Sequence, residues 1–358
     1  MAKWLMVGGD MFISVMYGQE FTIGGILMAS KRLTSGIRPT GELHLGNYYG
    51  ALKNVAELQH QYDAFFFIVD IHSLTTHPKP GELGKHVLEV ARNYLAAGLD
   101  PELSTFYTQS SIAPEICELH TYLSMVMPLG DLLRCPTFKE KAKKHPDNIN
   151  YGLVGYPVLM AADILIHKGE LVPVGEDQLV HLEIARTIVR RFNQLYGEVF
   201  AEPQPFRENA VRIPALTAQG KMSKSDHPDS YISMKDGTDV IAAKVKKAYS
   251  DPTRIYKHQP GNPSKDGCNV YHLHSYFTIT ETCQEIAAQC RRAAIGCVQC
   301  KAVLAESIEA IVEPFRRRRS ELSDEFVIEA LRRGQIKAKA SAQAVIAEVR
   351  EAIGLRMF

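Results

Sequence analysis

Hydrophobic and polar positions repeat along this chain with two periods. "AFFFIVDI" (64–71) is an almost unbroken apolar run, the pattern of a parallel strand covered on both faces. "KRLTSGI" (31–37), "STFYTQ" (104–109) and "LVPVG" (171–175) predict further strands. Between them apolar residues recur at helical spacing, as with Leu45, Tyr48, Leu52 and Val55 in "HLGNYYGALKNVAEL" (44–58). The same spacing predicts helices around 84–98, 114–127, 152–167 and from Asp177 to about Leu195. Strands alternating with helices predict an α/β fold, a doubly wound parallel sheet that binds ligands at the carboxyl ends of its strands. Beyond about residue 230 strand signals become sparse. "DGTDVIAAKVKKAYSD", "TETCQEIAAQCRRAA" and "CKAVLAESIEAIVEPFRRRRSEL" read as helices, as does the C-terminal segment. The expected organisation is an α/β domain over 28–230 and a mostly α-helical domain over 231–358, with no internal repeat.

Residues 1–27 stand apart. Their apolar stretch is broken by "GGD" and carries Asp10 and Glu20, which a secretory or transit peptide avoids. They read as a disordered extension or an upstream start, with Met28 of "MASKRLTSG" as the working start.

A chain of 358 residues with 46% hydrophobic content can bury the cores of two domains. Lys+Arg 41 against Asp+Glu 40 leaves a net charge of +1, so a nucleic-acid partner has to be met by local basic patches. Three stretches offer them: "TFKEKAKKHPDN" (137–148), "KVKKAY" (244–249) and "FRRRRSEL" (315–322). No apolar run is long enough for a membrane span. Seven cysteines are too few for a disulfide scaffold and odd in number, which points to the cytoplasm.

Candidate chemistry concentrates in two loops. "SGIRPTGELHLGNYYG" (35–50) leads from a strand into a helix, and its amides, with His44 and Asn47 one turn apart, suit a phosphate cradle. "QGKMSKSD" (219–226) places Lys221 and Lys224 three apart, between serines and after Gly220. It is no Walker loop, because Met222 stands where Ser or Thr is required. Asp163, in "LMAADIL", is a carboxylate inside an apolar helix, and such a charge needs a partner. Tyr156 and Met160 share its helical face.

In this order the loops resemble the two signatures of class I aminoacyl-tRNA synthetases, "HLGN" for the first and "KMSKS" for the second. "GIRPTGELHLGNYYGAL", "YPVLMAADILIHKGELVPVGEDQ" and "FNQLYGEVF" are similar to the tryptophanyl branch, from about residue 32 to the C-terminus. The resemblance implies ATP-dependent activation of tryptophan to its adenylate, with Mg²⁺ on the triphosphate, then transfer to the 3′ end of tRNA(Trp), by a homodimer. It implies catalytic roles for His44, Asn47, Lys221, Ser223 and Lys224. The ATP site would add Arg38, Pro39, Thr40, Gly46, Gly175, Glu176, Asp177, Ile213, Met222 and Ser225. The tryptophan site would comprise Asp163, accepting from the indole N–H, with Met160, Tyr156, Val172, Val174, Gln178 and His72. Thr34 stands where relatives can cap the pocket with an aromatic ring. Tyrosyl-tRNA synthetases share fold and loops, but their "GGSDQ" is here "VGEDQ". A non-catalytic RNA-binding paralogue would be expected to have lost a loop lysine, and both are present.

Four cysteines fall within 33 residues, as Cys268-x21-Cys290-x6-Cys297-x2-Cys300. One close pair and two singles suit a larger object than the zinc that two close pairs usually hold. Some bacterial tryptophanyl-tRNA synthetases resemble this chain here and carry a [4Fe–4S] cluster; zinc and free thiols remain the alternatives. Cys117, Cys135 and Cys283 read as ordinary thiols.

Overall fold

The computed structural model describes residues 4–7, 10–13 and 31–356, apart from 40–41, 145, 207–210, 218–219 and 224–225. Met1–Ser30 and Lys31–Phe358 are separate compact units. In the first, β1 (Trp4–Val7) and β2 (Asp10–Ile13) pair as an antiparallel hairpin. The rest of the extension expected over 1–27 lies outside the described residues.

In the second unit, β3 (Arg32–Ile37), β4 (Asp63–Ile68), β5 (Thr105–Thr108), β6 (Leu171–Pro173) and β7 (Gln204–Phe206) form one parallel sheet in the order β5-β4-β3-β6-β7. Leu33 of β3 faces Ala64 on one side and Leu171 on the other, so the first strand of the sheet is its centre. The chain therefore winds outward twice from β3, and the crevice between β3 and β6 is the topological switch point. Successive residues of β4 enter opposite cores: Phe66 and Ile68 join Leu33, while Phe65 and Phe67 join Tyr107 and Ile164. Period-2 alternation across a sheet covered on both faces makes "FFFI" continuous in the sequence. β7 escaped the sequence reading because it is a three-residue edge strand containing Pro205.

The crossover helices are α1 (Leu45–Asn47), α2 (Lys53–Leu58), α3 (Asp70–Ser73), α4 (Leu83–Ala96), α5 (Ala113–Val126), α6 (Leu129–Arg134), α7 (Pro136–Lys144), α8 (Tyr151–Leu165) and α9 (Leu179–Tyr196). The helix expected over 44–58 is present as α1 and α2 joined by a π-turn over Tyr48–Leu52. After β7 the described residues contain helices and no further strand: α10 (Thr238–Lys247), α11 (Asn269–Phe277), α12 (Thr280–Arg291), α13 (Cys297–Glu321) and α14 (Asp324–Ala352). No described helix is long and apolar enough to cross a membrane.

The C-terminal helices do not stand off from the sheet. Val327 and Ala330 of α14 belong to one core, Ala338, Ala342 and Val345 to the other, so α14 crosses the sheet edge at β5. At the crossing stands Gly334, where an added Cβ would fall 1.7 Å from the Phe106 carbonyl oxygen.

Two arginines of "FRRRRSEL" are engaged within the protein, and Arg317 and Arg318 are the ones left exposed. Arg316 donates to the Asp236 carbonyl and to Glu309, both at 2.6 Å. Arg319 donates to Glu89 of α4 at 2.6 Å. Glu89 also pairs with Arg92 and Lys235, a network that holds the Glu89 carboxyl below its usual pKa.

Candidate active site

His44 caps the helix that follows β3. Its Nδ1 accepts from the Asn47 N–H at 3.2 Å, and its own N–H donates to Asn47 Oδ1 at 3.4 Å. This reciprocal cap is why the two residues sit three apart. Leu45 N–H donates to the Ile232 carbonyl at 2.8 Å and Met234 N–H to the Leu43 carbonyl at 2.9 Å. The "HLGN" turn is thus fastened to the strip just after the second loop. A Cβ on Gly46 would stand 3.4 Å from Met222 Cβ, so the two signature loops touch at that glycine.

Within the second loop the residues divide by hydropathy. Met222 is buried and its N–H donates to the Ile213 carbonyl at 2.8 Å, while Lys221 is exposed. Ile213, expected at the ATP site, has its side chain in the core. Ser223 is half-buried. Thr40, Lys224 and Ser225 lie outside the described residues, as does the side chain of Asp177. Glu176 is exposed and pairs with Arg212 at 3.4 Å. Pro39 is buried.

At the switch point, against the ends of β3 and β6, lies a cavity of about 570 Å³. Its lining includes Asp163, Met160, Tyr156, Val172, Val174, Gln178 and His72, together with Arg38, Gly175 and Thr34. Seven residues expected at one amino-acid site, from α3, α8, β6 and the turn after it, are therefore brought to one void.

Asp163 is 3% exposed, and its partner is one the sequence did not reveal. Gln109 Nε2 donates to Oδ1 at 2.7 Å and Oδ2 at 2.9 Å. Burial drives the Asp163 carboxyl up to about 8; the Gln109 donors oppose this and the charge of Asp70 adds to it. His72 packs edge-on against Tyr156, with centroids 5.3 Å apart. Burial first, then the charges of Arg38 and Lys141, lowers His72 to about 4, so it is neutral at pH 7. Tyr156 Oη lies 2.8 Å from Thr137 Oγ1 and 3.0 Å from His181 Nε2, and burial raises its phenol to about 12.

α7 and α9 contribute Thr137, Glu140, Lys141 and His181 to the wall, none of them anticipated. Lys141 belongs to the basic stretch read as a tRNA contact. Its Nζ instead stands 3.8 Å from the centre of the Tyr156 ring. The apolar stripe of α7 turns Lys141 inward while Lys139 and Lys143 stay exposed, a division that follows helical phase. Arg38, which donates to Thr76 Oγ1 at 3.0 Å, and Lys141 thus bring two cations to a cavity that also holds a buried carboxyl. Such a void suits a ligand with an apolar body, an N–H donor and a negative charge.

Residues 29–313 match the family model described as tRNA synthetases class I (W and Y). The chain is 42% identical to the tryptophan–tRNA ligase of Porphyromonas gingivalis over 330 residues, covering 90% of this chain and 99% of that protein. The chain belongs to the class I tRNA synthetases. Its activity is that of a tryptophan–tRNA ligase: ATP-dependent activation of L-tryptophan and transfer to tRNA. The Chlamydia caviae tryptophan–tRNA ligase is 39% identical, over 91% of this chain and 96% of its own. A crystal structure of tryptophanyl-tRNA synthetase from Campylobacter jejuni, complexed with ADP and tryptophan, superposes with a TM-score of 0.82. It is 32% identical, and the match covers 90% of this chain and all of that one.

The four cysteines near the C-terminal helices form no disulfide. Among the described residues no group of three or more His, Cys, Asp or Glu side chains is gathered as a site for a metal ion. The expected metal centre is therefore not part of the observed geometry.

Proposed function

We propose that the cavity against β3 and β6 holds tryptophan with its indole N–H on Asp163, and that the two signature loops hold the ATP phosphates beside it. The buried Asp163 carboxyl, in the wall of a cavity that also carries the apolar side chains of Met160, Val172 and Val174, is the observation that carries this reading. A site built to satisfy a substrate donor rejects analogues that lack it, because the site's own acceptor would be left unpaired. Met160, Val172 and Val174 supply the apolar walls, with Tyr156, Gln178 and His72 completing the site.

The attacking group is the substrate's own carboxylate, ionised at neutral pH, so activation needs no general base. A carboxylate oxygen forms a bond to the α-phosphorus as the bond to the bridging oxygen breaks, and that electron pair leaves with pyrophosphate. The protein's work is in-line positioning and positive charge on the leaving phosphates. Lys221 and Lys224, Arg38 and Lys141 supply the charge beside the Mg²⁺ that accompanies ATP. Ser223, His44 and Asn47 position the nucleotide.

Because Asp163 titrates near 8, tryptophan binding should carry its signature. Only the ionised form is a full-strength acceptor for the indole N–H, so affinity should rise between pH 6 and 8 and flatten above. Binding at pH 7 should release a proton, seen by calorimetry in buffers of different ionisation enthalpy. The same raised pKa gives the free protein a contribution to stability that is present below the unfolded value of 3.8 and is lost as pH rises through about 8. An affinity flat across this window would remove Asp163 from the contact.

A division of labour at residue 230 belongs to the same proposal: adenylate chemistry before it, tRNA recognition by the helices after it. For the cysteines we propose a structural [4Fe–4S] cluster. Cys300 is pushed up to about 12, by burial first and then by Cys268, Cys290 and Cys297, an influence of the other three thiols on it that supports this reading. Arg254 Nη1 stands 3.6 Å from Cys290 Sγ, and a Cβ on Gly261 would come within 2.5 Å of that sulfur. A soft thiolate set with an N–H donor to sulfur and no side chain crowding it fits a cluster. Bound there, it would tie the 254–268 segment to α12 and α13, with no redox step in the reaction. Protein purified without oxygen should be brown and contain about four iron per chain. Colourless anaerobic protein with one zinc would overturn the assignment.

A homodimer fits the exposed apolar residues Met125, Leu129, Leu133, Ile149 and Tyr151, open by 42–76% on α5, α6 and the segment that leads into α8. Sedimentation at twice the chain mass of 39.9 kDa is expected. Replacing Leu129 by a charged residue should yield monomers.

A further inference from the structure

We propose that Gln109, which does not line the cavity, is the positioning residue that sets tryptophan selection, by holding Asp163 and His72 in one rigid unit. The proposal rests on the reading of Asp163 as the indole acceptor. Gln109 is completely buried, at the end of β5. Its Nε2 donates to both oxygens of Asp163, at 2.7 and 2.9 Å, and its Oε1 accepts from the His72 backbone N–H at 3.0 Å. These bonds admit one orientation of the amide. Turned over, Gln109 would point its carbonyl at a carboxylate and its NH₂ at an N–H, and all three contacts would be lost.

One amide therefore fixes two cavity residues from behind, one through its side chain and the other through its backbone. It also decides the state of the acceptor. The groups facing Asp163 are Asp70 at the start of α3 and Tyr107 on β5, and neither is a cation. Burial and the Asp70 charge both favour the protonated acid, and the Gln109 donors are what favour the carboxylate. Tyr107 Oη is engaged with His167 Nε2 at 2.8 Å, which leaves the carboxylate to Gln109. The cations Arg38 and Lys141 act on His72 and are not among the groups that shift Asp163. Removing the amide donors should thus loosen the acceptor and push its titration still higher, while leaving the two signature loops alone.

The test is tryptophan-dependent pyrophosphate exchange from pH 6 to 9 for the wild type, Gln109→Met, Gln109→Glu and Asp163→Asn, with the KM for tryptophan and for ATP measured separately. Gln109→Met should raise the tryptophan KM at pH 7 at least tenfold, keep the ATP KM within twofold and move the rising limb of the pH profile about one unit higher. Gln109→Glu preserves the shape but can donate to Asp163 only when the introduced carboxyl is protonated. Its activity should therefore fall with rising pH, opposite to the wild type, even if the methionine variant folds poorly. A purely structural role would change melting temperature without inverting this profile. If Asp163→Asn raises the tryptophan KM but both Gln109 variants keep the wild-type profile, the role given to Gln109 is wrong. If Asp163→Asn leaves the tryptophan KM unchanged, the reading of Asp163 fails first, and this proposal with it.

Discussion

Replacing Asp163 by alanine is expected to raise the KM for tryptophan roughly 5- to 150-fold, the equivalent of the ~1–3 kcal/mol of a lost buried hydrogen bond. The upper part of that range is expected, because two losses coincide. The indole N–H loses its acceptor, and Gln109, which spends its amide on both Asp163 oxygens, is left with an unsatisfied buried donor. The KM for ATP should stay near its starting value, since the nucleotide loops are fastened to each other through Leu43–Leu45, Ile213, Met222 and Ile232–Met234 and not through Asp163. Discrimination against phenylalanine should fall most, because phenylalanine differs from tryptophan by lacking the donor that Asp163 reads. If the alanine variant rejects phenylalanine and tyrosine as well as the parent does, Asp163 is not the selecting group.

Gly334→Ala should cost stability at or above the top of the roughly 1–3 kcal/mol usual for overpacking. The added methyl would fall 1.7 Å from the Phe106 oxygen and 2.4 Å from its carbonyl carbon. Those are backbone atoms of β5, unable to swing aside as a side-chain tip would. Relief requires α14 to lift from the sheet edge, and α14 feeds both cores, so the strain would reach Val327 on one side and Ala338 on the other. A fall in melting temperature of about 5 °C or more is expected. Unchanged melting would mean that α14 does not cross β5 at this residue. Gly334 also explains why a 29-residue helix carries a glycine near its centre, where propensity alone counts against it.

Much of the fold was legible because the two periods are clean. The continuous run at 64–69, the helical spacing after it and the strand "LVPVG" lead to the observed parallel sheet and its crevice. The cavity was legible for a different reason, since Tyr156, Met160 and Asp163 lie on one face of one helix. What the sequence hid were contacts between distant segments. Gln109 lies 54 residues from Asp163, and no local pattern joins an amide at a strand end to a carboxylate inside a helix. Lys141 was hidden by its own neighbours, because a basic stretch reads as a solvated face until helical phase separates one lysine from the rest. Arg316 and Arg319 were hidden for the same reason. Their partners Asp236 and Glu89 come from a loop and a helix far earlier in the chain. The cysteine spacing pointed to a metal site, but spacing alone does not set the geometry of one, and the described residues gather none.

Pyrophosphate exchange measured with each of the twenty amino acids in turn tests the central assignment most directly. With ATP and Mg²⁺ present, exchange is expected with L-tryptophan, with tyrosine and phenylalanine far below it and no other amino acid rising above background. Exchange supported by tyrosine at a comparable rate, or by no amino acid at all, would contradict an indole pocket closed by Asp163.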